Sequence, residues 1–157
     1  MPAKKIPDFS LPATGGRDFQ LSAHRGHSIV LFFYPKDSTP GCTTEAGQFR
    51  DLHAQFRKQG CEVFGISRDS MKSHEKFKAN LELPFELIVD AEEIACNFFA
   101  VIKLKKMYGK EVRGIERSTF LIDGDGALAR EWRAVKADGH AAEVLEAVKS
   151  LKTETRP

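Results

Sequence analysis

Thr39-Pro40-Gly41-Cys42-Thr43-Thr44 puts a sulfur nucleophile just past a Pro-Gly turn. Upstream lies the apolar run Ile29-Val30-Leu31-Phe32-Phe33-Tyr34, closed by Pro35. Downstream, Glu45, Phe49, Leu52 and Phe56 recur at helical spacing. The pattern predicts strand, turn, cysteine, helix. A cysteine in a first helical turn faces free backbone N–H groups and the positive end of the helix dipole. Both favour a thiolate.

Other residue types near that sulfur extend the chemistry. The Thr39 hydroxyl can donate to an oxyanion or accept from a substrate hydroxyl. Pro40 and Gly41 shape the turn and keep bulky groups away. Arg117 immediately precedes the apolar stretch Ser118-Thr119-Phe120-Leu121-Ile122. It can reach across the sheet end with a permanent charge and a planar fork of donors. Glu45, one helical turn after Cys42, is placed to orient that guanidinium. Each residue also has an ordinary reading taken singly. A lone cysteine is commonly a small buried apolar group. Arg117 alone reads as a solvated arginine, Glu45 as a complement to the helix dipole, and Thr39 as turn chemistry.

The elements that must position these groups follow from periodicity. Residues 6–12 read as an extended arm, followed by a Gly-Gly turn and a short strand over 18–21. The continuous apolar run 29–34 predicts a strand buried on both faces. A helix over 42–58 ends before Gly60. A strand over 62–67, a helix over 73–81, a strand over 86–89 and a short helix over 92–100 come next. Residues 101–116, Lys-rich and punctuated by glycine, read as a loop. A strand over 118–122, the turn Asp123-Gly124-Asp125-Gly126, a hairpin partner over 127–133 and a helix over 140–152 complete the chain. The turn resembles the start of a calcium loop. However, its twelfth position is Ala134, where a bidentate Glu is needed.

The expected fold class is α/β, a central mixed sheet flanked by helices. Ligands in such sheets bind beyond the carboxyl ends of the strands, where Cys42 lies. At 157 residues the chain reads as one domain, with its core over about 6–152 and a frayed end over 153–157.

Composition narrows the function classes. A net charge of +2 gives no electrostatic case for nucleic acid or an anionic membrane. No stretch approaches the roughly 20 apolar residues of a membrane span. The N-terminus has basic residues without the apolar core of a secretory signal, so the expected location is the cytoplasm. Cys42, Cys61 and Cys96 form neither a secreted disulfide framework nor a C-x-x-C pair, and the histidines show no metal-ligand spacing relative to them. No metal and no cofactor are expected. A cysteine phosphatase wants C-x5-R, but Gln48 stands where its arginine belongs.

Together the motifs identify a likeness. Pro35-x-x-x-Thr39-x-x-Cys42 resembles the active-site signature of peroxiredoxins. The fuller stretch from Phe33 to Thr43 is similar to the Q-type subfamily, also called bacterioferritin comigratory protein. So are Pro7-Asp8-Phe9-Ser10-Leu11-Pro12, Met107-Tyr108-Gly109-Lys110, the run from Gly114 to Asp123, and Gly139-His140-Ala141. The likeness covers about residues 6–150.

The resemblance implies a thioredoxin-like fold and a thiol-dependent peroxidase acting on hydrogen peroxide and organic hydroperoxides. Cys42 would be the peroxidatic cysteine. Thr39, the Cys42 N–H and Arg117 would hold the peroxide oxygens, and Pro35 would wall off the sulfur. The reductant would be thioredoxin, glutaredoxin or a low-molecular-weight thiol, and the expected state is a monomer.

One departure matters. Many relatives carry a resolving cysteine five residues after the peroxidatic one, where this chain has Gly47. Others carry it in the following helix, where this chain has Phe77-Lys78-Ala79-Asn80. Cys61 reads as core. Helical spacing puts Ile94, Phe98, Val101 and Ile102 on the apolar face of their helix, with Cys96 turned outward. The leading reading is a one-cysteine mechanism with an external thiol. The alternatives are an atypical two-cysteine enzyme resolved by Cys96 with thioredoxin as reductant, and a non-catalytic thioredoxin-like binding or chaperone module.

Overall fold

A computed structural model describes residues 5–154. Its centre is a mixed sheet of five strands, β3 (Ser28–Phe33), β4 (Cys61–Ser67), β5 (Leu87–Val89), β8 (Ser118–Ile122) and β9 (Leu128–Trp132), in the order β5-β4-β3-β8-β9. β4 runs parallel to β3 and β5, whereas β8 pairs antiparallel with β3 and β9. The run at 29–34 is buried throughout because β3 sits mid-sheet with apolar layers on both sides. Val30, Phe32 and Tyr34 face one core, and Ile29, Leu31 and Phe33 face the other.

The first core is covered by α1 (Pro40–Lys58), α2 (Met71–Leu81) and α4 (His140–Glu154), through Phe49, Phe56, Phe77 and Val144 among others. α1 begins with Thr39 as N-cap and Pro40 in the first helical position. Proline suits that position because its missing N–H would have no partner there. α2 is capped by Ser70, whose Oγ accepts from the Ser73 N–H.

The second core is covered by a small antiparallel pair, β1 (Ser10–Pro12) with β2 (Asp18–Gln20), and by α3 (Ile94–Phe98). Residues 155–157 of the segment expected to fray lie outside the described residues. Among those described, no helix is long and apolar enough to cross a membrane.

Two sequence expectations are corrected. The stretch 101–116 is not a loop but the hairpin β6 (Ile102–Met107) with β7 (Lys110–Ile115). Its turn has Tyr108 at φ 53° and Gly109 at φ 78°, and two positive φ angles in a two-residue connection match the twist of paired strands. The hairpin stands mostly exposed on both faces, so it carries no apolar alternation to read.

The face of α3 is also inverted. Cys96 is buried and Ile94 and Phe98 are half exposed. α3 is only five residues long, and Ala95 and Cys96 are the residues it turns toward Phe99 and Val101 in the second core.

Candidate active site

Cys42 is the third residue of α1, just beyond the carboxyl end of β3. The β3–β8 register sets Phe33 opposite Ser118, so Arg117 enters the sheet beside the loop that leads to α1. The Val135 N–H donates to the Arg117 carbonyl at 3.1 Å and fixes that backbone. The Arg117 side chain then spans two groups. Its Nη2 donates to Cys42 Sγ at 3.4 Å, and its Nη1 donates to Glu45 Oε1 at 2.7 Å. Cys42 is 1% exposed and Glu45 is fully buried.

Gly41 makes this approach possible. A Cβ there would lie 3.0 Å from Arg117 Nη2.

The electrostatics of the pair are uneven. Burial works against the Arg117 charge, but Glu45 and the sulfur hold the guanidinium above its usual pKa. Burial pushes the Glu45 carboxyl up to about 7 although Arg117 pulls it down. Both follow from one geometry. Among the described residues Glu45 Oε2 has no hydrogen-bond partner, so one ion pair is all that offsets the loss of water around that carboxylate.

Thr39 turns its hydroxyl back, donating to the Lys36 carbonyl at 2.8 Å. With its proton committed, the oxygen presents lone pairs outward. Of the two roles open to it from sequence, this geometry offers the acceptor. Pro35 follows β3 by two residues and is exposed. The structure thus brings Cys42, Arg117 and Glu45 into direct contact, with Thr39 capping the same helix.

The other two thiols are elsewhere. Cys61 starts β4, opposite Ser28 at the far end of β3, and burial pushes its thiol up to about 12. That end is about 16 Å of strand away from the end that carries α1. Cys96 lies in the second core, on the sheet face opposite Cys42. Burial and then the Asp90 carboxylate push its thiol well above the ordinary range.

A buried polar cluster beneath the loop was not legible as part of the site. Asp37 Oδ1 accepts from the Tyr34 hydroxyl at 2.6 Å, and Oδ2 accepts from Ser73 Oγ at 2.8 Å and lies 2.7 Å from His74 Nδ1. Burial raises the Asp37 pKa, but His74, Tyr34 and Ser73 together hold it below the usual value. Asp37, Asp69 and His74 bring possible ligand atoms within 4.8 Å of one another. However, the Asp37 oxygens are taken by these donors and Asp69 Oδ2 by the Asp37 N–H and Ser67 Oγ, so the cluster is a hydrogen-bonded knot rather than a cage. The one sequence signal is that His74, Phe77 and Leu81 share a helical stripe, so the stripe holds a histidine among apolar residues.

Known proteins resemble this chain over most of its length. The AhpC/TSA family model matches residues 2–131. Peroxiredoxin Bcp of Bacillus subtilis (strain 168) is 51% identical over 148 residues, covering 94% of this chain and 94% of its own length. A Xanthomonas campestris homologue, also named peroxiredoxin Bcp, is 51% identical over 143 residues, covering 91% of this chain and 89% of its own. Among solved structures, a Xanthomonas campestris bacterioferritin comigratory protein, described as a trapped intermediate/ligand complex bearing on alkyl peroxide reduction, superposes with a TM-score of 0.91 at 47% identity. It covers 96% of this chain and 99% of that one. Likeness at this level shows that the chain belongs to the AhpC/TSA family as a Bcp-type peroxiredoxin, a thiol-dependent peroxidase with a thioredoxin-like fold.

Proposed function

We propose that Cys42 is the peroxidatic cysteine and that it works without a second cysteine of this chain. The observation that carries the assignment is the Arg117 contact, which sets a permanent positive charge 3.4 Å from the sulfur. The thiolate attacks one oxygen of the hydroperoxide. The S–O bond forms as the O–O bond breaks, Cys42 is oxidised to a sulfenic acid, and the alkoxide or hydroxide leaves and takes up a proton. Arg117 stabilises both the starting thiolate and the charge that moves onto the peroxide oxygens. Thr39 Oγ accepts from the peroxide O–H and aligns it, and the Cys42 N–H in the first helical turn donates to the oxygens. Pro35 closes the edge of the site. Glu45 holds the guanidinium in place.

An external thiol then attacks the sulfenic sulfur and displaces water, leaving a mixed disulfide. A second thiol releases Cys42 and is itself oxidised to a disulfide. Thioredoxin, glutaredoxin or a small thiol fits this step. The sheet between Cys42 and Cys96, and the strand length between Cys42 and Cys61, support an external partner. The proposed working state is a monomer. A need for reducing thiols suits the cytoplasm.

The test is mass spectrometry after one equivalent of peroxide, with a sulfenic-acid trap. The adduct is expected on Cys42, with little intramolecular disulfide. Excess peroxide should drive Cys42 to sulfinic acid. A stoichiometric Cys42–Cys96 disulfide would overturn the one-cysteine reading.

A further inference from the structure

Among residues 35–39, which join β3 to α1, Asp37 alone is buried. Its backbone N–H donates to Asp69 Oδ2 at 2.9 Å. Its carboxylate is gripped by Tyr34, the residue just after β3, and from α2 by Ser73 and His74. His74 is fully buried, and its other ring nitrogen, Nε2, lies 2.8 Å from the Ile88 carbonyl on β5. The ring is thus fixed at both ends, by the loop and by the sheet.

Immediately after Asp37 the chain makes an unfavourable bend. Ser38 is exposed and sits at φ 64° without being glycine. Such a conformation persists only where the surroundings impose it. Here the imposed bend turns Thr39 so that its hydroxyl meets Lys36 O and its carbonyl accepts from the Thr43 N–H, which starts α1.

We propose that His74 is a positioning residue of the peroxidase site, which acts through Asp37 to hold the 35–39 bend and so aims the Thr39 hydroxyl at the peroxide. The proposal rests on the role given to Thr39 above. It makes α2, which contributes no group that meets substrate, part of the machinery. Loosening the bend misaims Thr39 while leaving the Cys42–Arg117 contact in place. It therefore slows the reaction that needs peroxide alignment more than a reaction that needs only the thiolate.

The experiment compares two rates in folded His74→Gln, hydrogen peroxide reduction by stopped flow and alkylation of Cys42 by iodoacetamide. The peroxide rate should fall about tenfold or more, since small misplacements carry costs of that order. The alkylation rate should hold or rise. In a Thr39→Val background the same His74 substitution should cost less than about twofold, because residues acting through one another are not additive.

A peroxide rate within twofold of wild type, equal losses in both rates, or the full loss repeated in Thr39→Val would each overturn the proposal. Should His74→Gln fail to fold, Ser73→Ala removes one donor to Asp37 and keeps the His74 contact. It should show the same selective loss, smaller in size, and a wild-type peroxide rate there would equally overturn the proposal. A Thr39→Val enzyme with the wild-type rate removes the Thr39 reading itself. A slow Thr39→Val beside a fast His74→Gln removes only the role of His74.

Discussion

At Gly41 the absence of a side chain sets the reach of Arg117. A methyl group 3.0 Å from Nη2 is tighter than ordinary packing, so the guanidinium must give way to it by a few tenths of an ångström, which disturbs its contact with the sulfur. Gly41→Ala should therefore reproduce part of the Arg117→Ala defect. We expect about 10²-fold slower peroxide reduction in Arg117→Ala, as for loss of one oxyanion donor, and a loss nearer ~10-fold in Gly41→Ala. Stopped-flow rates checked against thermal melts separate this from unfolding.

Glu45 makes a second prediction, about pH. Its folded pKa, at about 7, lies above the 4.5 of an unperturbed Glu. Between those values the folded chain keeps a proton that the unfolded chain has lost. This group therefore removes stability as pH rises through that window, with a slope of at most about 1.4 kcal/mol per unit. His53 and His140, with pKa values pulled down mainly by burial, act with the opposite sign just below 6.5. The clean measurement is thus a difference. Urea unfolding at pH 5 and pH 7.5 should show Glu45→Gln gaining on wild type at the higher pH. A constant offset between the two proteins would refute it.

Among the elements, α1, which holds Cys42 and Glu45, was the most legible. Its apolar spacing, the Pro-Gly start and the Gly60 stop predicted 42–58, and the helix runs Pro40–Lys58. Gly47 lies inside it, and a Cβ there would meet only Arg50 Nη2, at an ordinary 3.6 Å. Gly47→Cys should therefore fold. Five residues apart on an intact helix, however, two cysteines lie beyond the roughly 7 Å Cα limit for a disulfide. Oxidation of this variant should consequently link Cys42 to the introduced thiol only as the first turns of α1 unwind. The expected outcome is an intramolecular disulfide after one peroxide equivalent and greater resistance to over-oxidation than wild type. Both thiols unlinked on peptide mapping would mean that the helix stays shut or that Cys42 is not the oxidised residue.

Elements without periodicity were not legible. The β6–β7 hairpin is held by turn geometry, by the ion pair from Arg113 to Glu93 and by the Arg68 guanidinium donating to the Arg113 carbonyl, none of which leaves an apolar stripe. α3 misled for a related reason. In a five-residue helix the chain that follows decides which side is buried, so the intrinsic pattern put Cys96 on the wrong face.

Over the whole molecule, the sheet order was not written in any one segment, but the alternation of strand and helix was enough to predict a mixed sheet with helices around it. Cys42, Thr39, Arg117 and Glu45 could be named as candidates because motif and spacing point at them from within short stretches, and the structure brings Cys42, Arg117 and Glu45 into contact. Asp37 and His74 were not, because their partnership joins residues far apart in sequence and depends on how α2 packs.

The same packing leaves the chain a built-in reporter. Trp132, its sole tryptophan, sits on β9 directly across from Thr119 on β8, two residues after Arg117 in the chain. Its indole lies edge-on to His140 with the Arg130 guanidinium above it, and among the described residues its N–H finds no acceptor. An indole that shares the first core with Cys42 should change its emission if, as proposed, that sulfur gains an oxygen. Each turn of the cycle can then be followed by intrinsic fluorescence in the unlabelled protein, without an added dye.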